Sequence, residues 1–493
     1  MSIDYAPVAP LFHTDAYKLD HRRQYALSGN VTRVYSNYTN RKSRIPGVEG
    51  VVHFGLQAYL QRYLMDEFAP FFVAPAIIAA YKARLTQVLG ADAASAIGVV
   101  HIASLHELGY LPLRFCAVPE GTIVPVGVPS FTVENTHPDF AWLTNFVETG
   151  LSAGLWQAST SATIAHEYRK VLEAAALRTG GDPTDIDWQC HDFSYRGMSS
   201  HESAAVSGAA HLLSFTGTDS LVSLDWIERY YGGPYEVSSV PATEHSVMCT
   251  GIESVGEQEI FSRLLGLYPT GTVSVVADTF DLWRVLTQYL PALQDEILAR
   301  DGKLVIRPDS GDPEKILCGD ESAPTGSPQW SGVLGLLYEH FGGRKNIAGF
   351  IELNPKVGAV YGDSITLDRA RSITARMERL GYASSNVVFG VGSFTYQYNT
   401  RDTFGSAMKA TWAEVDGNGV NLLKDPVTDD GTKKSATGRL AVIDRPATPL
   451  RLVQDVSESY EREFSALQPV WEDGKFVKRQ SFSDVRGVLG SQA

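Results

Sequence analysis

The spacing of apolar and polar residues divides the chain into two textures. Up to about residue 150, helical stretches such as Leu56 to Met65 mix with a strand-rich passage, AVPEGTIVPVGVPSFTVENT, which Pro and Gly punctuate at turn-like intervals. From Phe140 to about Leu177 the apolar period is helical. Beyond it, short apolar runs alternate with helical segments, the pattern of βα units feeding a parallel sheet. In TVSVVADTFDLWRVL a β-branched run, Val273 to Val276, leads through Asp278 to a helix starting near Asp281. KLVIRPDSGDPEKIL repeats the plan, with Leu304 to Ile306 as strand. In GAVYGDSITLDRARSITARMERLG a weak strand and Asp363 precede a helix with apolar Leu367, Ala370, Ile373, Met377 and Leu380, which Gly381 stops. The strand NVVFGVGS follows at once.

Each unit puts a carboxylate or a glycine cluster where strand hands over to helix, which in a βα barrel is the rim that binds ligands. An Asp in that position is often only a helix N-cap, and both readings apply to Asp363. Arg307 with Asp309, Ser310 and Gly311 exceeds what capping requires, because it offers a guanidinium and backbone N–H groups to an anion.

Composition then narrows the class. At 493 residues, 44% hydrophobic and 20% charged, the chain suits several domains or one large barrel with a partner domain, and nothing in it reads as long disorder. A net charge of -14 argues against nucleic acid or an anionic membrane as partner, so an anionic substrate needs local cations. Cys116, Cys190, Cys249 and Cys318 show neither CxxC nor CxxH spacing, against both a disulfide framework and a zinc site, and a reducing, cytoplasmic setting is expected. MSIDYAPVAP lacks the basic-then-apolar order of a secretory signal, and the most apolar window, FAPFFVAPAIIAAY at 68–81, is too short to span a bilayer.

Cations occur in NRKSR at 40–44, in YRG at 195–197, and at Arg307, Arg401, Lys409 and Lys424. With the rim acids they suggest a phosphate-rich substrate and Mg2+, a metal usually held by one or two carboxylates plus the substrate's phosphates. The Walker loop, a GxGxxG after a strand and HExxH are absent. HDFSYRG at 191–197 sets Phe193 three residues from Arg196. Such a ring is usually core, yet it can stack on a flat heterocycle while the guanidinium holds an anion. PATEHSVM at 241–248 places Glu244 and His245 after the apolar run Val237 to Val240, where a histidine is open among packing residue, metal ligand, general base and nucleophile.

The motifs TDAYK (14–18), VPEG (118–121), FTVENT (131–136), HDFSYRG, GTD (217–219), VPATEHS (240–246), SVVADTFD (274–281), IRPDSG (306–311), GD (362–363) and KDPV (424–427) resemble, in order and spacing, the nicotinamide phosphoribosyltransferases over nearly the whole chain. The resemblance implies an α/β protein: an irregular βα barrel of the type II phosphoribosyltransferase kind over 151–399, with a second mixed α/β domain built from both chain ends, 1–150 completed by 400–493. It implies a homodimer with shared active sites that converts nicotinamide and phosphoribosyl pyrophosphate to nicotinamide mononucleotide and pyrophosphate, in NAD salvage. Phe193 and the partner subunit's Tyr17 resemble the aromatic pair that clamps the pyridine ring. Asp219 resembles the acid that accepts from the carboxamide and repels the carboxylate of nicotinate. Arg196 and Arg307 resemble the phosphate and pyrophosphate binders, with Arg41, Arg401, Lys409 and Lys424 completing the cluster. Asp309 resembles the acid beside ribose and Mg2+, with Asp278 near it, and Gly362 with Asp363 the ribose-hydroxyl contact; Asp15, Ser274 and Ser393 fall within substrate-binding motifs. His245 resembles the histidine that ATP phosphorylates transiently, with Glu244, Asp278 or Asp309 to hold its ring. Mg2+ is thus the expected cofactor and ATP the co-substrate.

Some positions depart from the family pattern. GVGSF at 390–394 stands where GSGGG is usual, so Ser393 and Phe394 replace glycines, and Ser194 also stands for a glycine. The loop after Arg41 is shorter than in animal relatives. Two alternatives remain. A nicotinate phosphoribosyltransferase would share the barrel and the phosphohistidine, but Asp219 disfavours it; a non-catalytic nucleotide-binding dimer is disfavoured by His245, Asp309 and the two arginines.

Overall fold

The computed structural model describes residues 10–362, 364–428, 431, 434–445 and 448–492, so Asp363 lies outside the described residues. Two compact units divide the chain: Met1–Thr163 with Ile227–Pro234 and Asn399–Ala493, and Ile164–Trp226 with Tyr235–Tyr398. The division falls between Thr163 and Ile164 rather than at 150, further along the same long helix Glu148–Thr179, whose periodicity runs on without a break that sequence could register. Ile227–Pro234 was not expected in the first unit. Tyr231 holds it there, donating 2.6 Å to Glu120 and stacking on Phe54 at 5.4 Å.

The first unit is built on a seven-stranded antiparallel sheet. Its strand Val31–Asn40 pairs with Ser406–Val415 on one side and Pro129–Asn135 on the other, so both ends of the chain share one sheet. Pro129–Asn135 is buried at every residue, and Phe115, Phe131 and Trp471 form a core with helical Leu60, Phe71 and Tyr81. Among the described residues no single helix is long and apolar enough to cross a membrane. The bent pair Leu56–Val73 and Ala76–Leu89 passes on length and composition, and those helical side chains are packed in this core.

The second unit is a parallel sheet of six strands, in the order Gly217–Thr218, Cys190–Asp192, Val387–Val391, Val357–Tyr361, Asp301–Arg307, Thr270–Val276. Val273 to Val276 are buried consecutively, as expected of strands covered on both faces. The sheet does not end in open edges. Ser238 bridges Gly217 and Ala242 bridges Ser274, through Ser238 N to Thr216 O (2.8 Å), Ser274 N to Pro241 O (2.9 Å) and Thr243 N to Ser274 O (3.0 Å). Residues 238–242 thus close the barrel with isolated bonds, and Pro241, which has no N–H, accepts where it cannot donate. The barrel's irregularity lies at that closure.

The helices that follow the strands take their caps from Asp281, Asp312 and Thr366, whose side chains accept from backbone N–H groups of the first turn. Asp278 and Asp309, the acids flagged at the rim, are not these capping groups. In Leu367–Arg379, Ala370, Ile373 and Met377 are buried as the spacing predicts; Leu380 is the C-cap and is exposed.

Candidate active site

The carboxyl ends of the barrel strands converge on a wide, open cleft, whose lining residues all belong to the second unit. Phe193 and Arg196 follow the strand Cys190–Asp192, Asp219 follows Gly217–Thr218, and His245 follows the closing segment. Arg307 and Asp309, Gly362, and Ser393 with Phe394 come from the next strand ends.

Two glycines seat the Phe193 ring. A Cβ on Gly390 would stand 2.6 Å from Phe193 Cδ2 and 2.6 Å from the Gly362 Cα, and one on Gly362 would stand 3.2 Å from Asp309 Oδ1. Gly390 escaped the sequence reading, although a glycine inside the β-branched run VVFGV marks a close backbone approach. His191 also escaped it. Its ring packs on Phe193 at 4.6 Å, and its Nε2 lies 3.0 Å from Asp219 Oδ1, which also accepts from Ser239 Oγ at 2.6 Å. Partial burial pushes the Asp219 carboxyl up, but the hydrogen bonds from His191 and Ser239 and the Arg307 charge outweigh it and hold the group below its ordinary value.

His245 is the first residue of the helix His245–Val255 and is half-exposed, with Nε2 3.6 Å from Asp278 Oδ1. Asp278 is buried. Its Oδ2 accepts from Asp309 N at 2.8 Å and Ser310 Oγ at 2.6 Å, while its buried Oδ1 has no hydrogen-bond partner. Glu244 instead accepts the Ser246 hydroxyl. Of the three acids considered for the imidazole, Asp278 is the one within 4 Å among the described residues.

Arg307 donates from Nη2 to Thr243 O at 2.7 Å, and its Nε is buried without a partner. Arg196 sits on the turn Tyr195–Gly197, where a Cβ on Gly197 would collide with Ser393 Oγ. Ser393 opens the short helix Ser393–Tyr396, and Phe394 turns outward to stack on Tyr398 at 5.0 Å. Ser194 is fully buried with its hydroxyl unpaired. Ser274, expected at the substrate, is buried within its strand and is not among the cleft residues, since its backbone closes the barrel.

Asp15, Tyr17, Arg41, Arg401, Lys409 and Lys424 belong to the first unit. Asp15 accepts from Thr149 Oγ1 at 2.6 Å, and the exposed Tyr17 precedes Lys18, which is buried and donates to Glu148 at 2.7 Å. Arg41 Nε donates to Gly405 O at 3.0 Å. Burial pushes the Lys409 ammonium down, and the charges of Arg41, Lys424 and Arg401 push it further, against the pull of Glu148 at 3.7 Å. Those cations therefore form one cluster within that unit.

Among the described residues no group of three or more His, Cys, Asp or Glu could hold a metal ion. Asp309 on the cleft wall and the orphaned Asp278 Oδ1 are nevertheless the hard oxygen donors that Mg2+ takes alongside substrate phosphates.

An aromatic shelf beside a pinned carboxylate, with two guanidiniums and a histidine on a parallel barrel's rim, suits a flat heterocycle and a polyanion. This is the chemistry of a transferase that handles phosphate. The family model described as Nicotinate phosphoribosyltransferase (NAPRTase) family matches residues 188–470. A nicotinamide phosphoribosyltransferase of Acinetobacter baylyi is 46% identical over 98% of both chains, and one of Xanthomonas campestris pv. campestris is 33% identical over 97% of both. The chain belongs to the nicotinate phosphoribosyltransferase family. In fold it is similar to the nicotinate-nucleotide pyrophosphorylase of Pyrococcus furiosus (TM-score 0.60, 15% identity, 100% of this chain and 98% of that one). It is also similar to human nicotinic acid phosphoribosyltransferase (TM-score 0.56, 16% identity, 97% and 93%).

Proposed function

We propose that this protein is a nicotinamide phosphoribosyltransferase that couples mononucleotide synthesis to ATP hydrolysis through His245, acting in the cytoplasm as a homodimer. The observation that carries the reading is the Asp219 carboxylate, held ionised beside the Phe193 ring on the cleft wall.

Nicotinamide stacks on Phe193, with Tyr17 of the partner subunit on its other face, and the carboxamide donates to Asp219. The same charge repels the carboxylate of nicotinate, so selection works by rejection as well as attraction. Stacking makes no hydrogen bond to the ring nitrogen, which keeps its lone pair. Arg196 and Arg307 hold the phosphates. The ring nitrogen forms its bond to C1′ as the C1′–oxygen bond breaks, and that bond's electron pair leaves with pyrophosphate. The sugar becomes oxocarbenium-like, and the Asp309 carboxylate stabilises the positive charge that develops there. Gly362 leaves room for the ribose beside Asp309. Asp309 would hold Mg2+, mainly through the substrate phosphates, and bound Mg2+ supplies charge neutralisation to the departing pyrophosphate.

In the coupled step an imidazole nitrogen of His245 attacks the γ-phosphorus of ATP and the bond to ADP breaks; water later cleaves the phosphohistidine. Asp278 stabilises the ring as it gains charge. The helix N-terminus at His245 favours a phosphoryl group there, through its free N–H groups and its dipole. Mononucleotide formation from each pyridine, with phosphoribosyl pyrophosphate, Mg2+ and ATP, tests the proposal. Preferential use of nicotinamide is expected; preferential use of nicotinate overturns it.

A further inference from the structure

His191 is not among the residues lining the cleft, yet it is one of two donors on the acid that faces the pyridine slot. Its Nε2 lies 3.0 Å from Asp219 Oδ1, and Ser239 Oγ lies 2.6 Å from the same oxygen. Both donors converge on Oδ1, and among the described residues Oδ2 takes no hydrogen bond. The geometry points to His191 as a positioning and specificity-determining residue: by pinning Asp219 Oδ1 it fixes Oδ2 as the acceptor for the substrate's amide. This inference rests on the reading of the site as a nicotinamide transferase.

Three features hold the imidazole itself. It sits on the strand Cys190–Asp192 directly opposite Gly217, where a Cβ would come 2.6 Å from His191 Nδ1, so the glycine gives the ring its place. Its face packs on Phe193 at 4.6 Å with 38° between planes, which ties the shelf under the heterocycle to the acid at its edge. Its side chain is only 14% exposed, against 45% for Asp219. A half-exposed carboxylate left to itself rotates between water and the slot. Pinned at one oxygen, it presents the other at a fixed point, so an amide finds its acceptor in place and a carboxylate meets an anion that cannot swing aside.

Two substitutions separate the hydrogen bond from the packing. His191→Phe keeps a ring against Phe193 and loses the donor; His191→Gln keeps an N–H near Nε2 and loses the ring. Steady-state kinetics are measured for each pyridine, with phosphoribosyl pyrophosphate, Mg2+ and ATP saturating. Loss of one hydrogen bond to a charged acceptor is worth about tenfold or more, so His191→Phe should raise KM for nicotinamide by that factor with kcat within about threefold. Its nicotinamide-to-nicotinate ratio of kcat/KM should fall about tenfold. His191→Gln should retain most of the wild-type ratio. If His191→Phe keeps the wild-type ratio, or His191→Gln loses it equally, the positioning role is wrong and His191 is packing alone. Wild-type protein that prefers nicotinate would instead strike the functional proposal, a result distinguishable because it appears before any substitution.

Discussion

A single side chain, Asp219, decides in this account between two pyridines that differ by one polar group, and its environment explains how. The hydrogen bonds from His191 and Ser239 keep it below the ordinary carboxylate range, so it stays an anion at neutral pH. Replacing the charge with a hydroxyl, Asp219→Ser, should lower the nicotinamide-to-nicotinate ratio of kcat/KM by about tenfold or more, the worth of a charge-assisted bond. Paired kinetics check this, and an unchanged ratio would mean another group selects. At His245, replacement by Ala should abolish ATP hydrolysis while leaving slow, uncoupled synthesis; ATPase assays equal to wild type would remove it as nucleophile. The charged members of the site were legible because their chemistry is written in the residue itself. His191 was not, because its importance comes from register, opposite a glycine and beside an acid 28 positions away in the chain.

The elements show a similar division. Val273 to Val276, broken only by Ser274, and Leu304 to Ile306 were readable as strands because near-continuous apolar runs are what a doubly covered parallel strand needs; the observed strands, Thr270–Val276 and Asp301–Arg307, extend them mainly towards their polar starts. Residues 238–242 could not be read as the closure, since two isolated bridges leave no periodicity behind. The question of capping was likewise settled by a few residues' difference, with Asp281 and Asp312 taking the helix ends. Strand Val387–Val391 carries its own prediction. Gly390→Ala would press on Phe193 and Gly362 from 2.6 Å, and overpacking of this kind costs about 1–3 kcal/mol. The shelf should shift, raising KM for nicotinamide about tenfold, with circular dichroism unchanged. Wild-type KM in this variant would show that the ring's seat does not depend on the glycine.

For the whole molecule, acid sensitivity follows from histidines buried in each unit. Burial pushes His53 and His101 in the first unit, and His211 in the second, down to about 4. The unfolded chain takes up these protons near pH 6.5, a typical imidazole value, and the folded chain only near pH 4. Between those values the unfolded state binds more protons, so stability falls as pH falls. The melting temperature should drop steadily from about pH 6.5 to about pH 4, and His101→Phe, which keeps the packing on Trp142, should make that slope shallower. An identical slope would place the sensitivity elsewhere. The boundary between the two units lies inside one continuous helix, where hydrophobic spacing carries no mark. The measurement that bears most directly on the account is a crystal structure with nicotinamide mononucleotide bound. The pyridine is expected on Phe193, with its amide nitrogen about 3 Å from Asp219 and the phosphate at Arg196 and Arg307. A ring stacked elsewhere, or an amide turned away from Asp219, would contradict it.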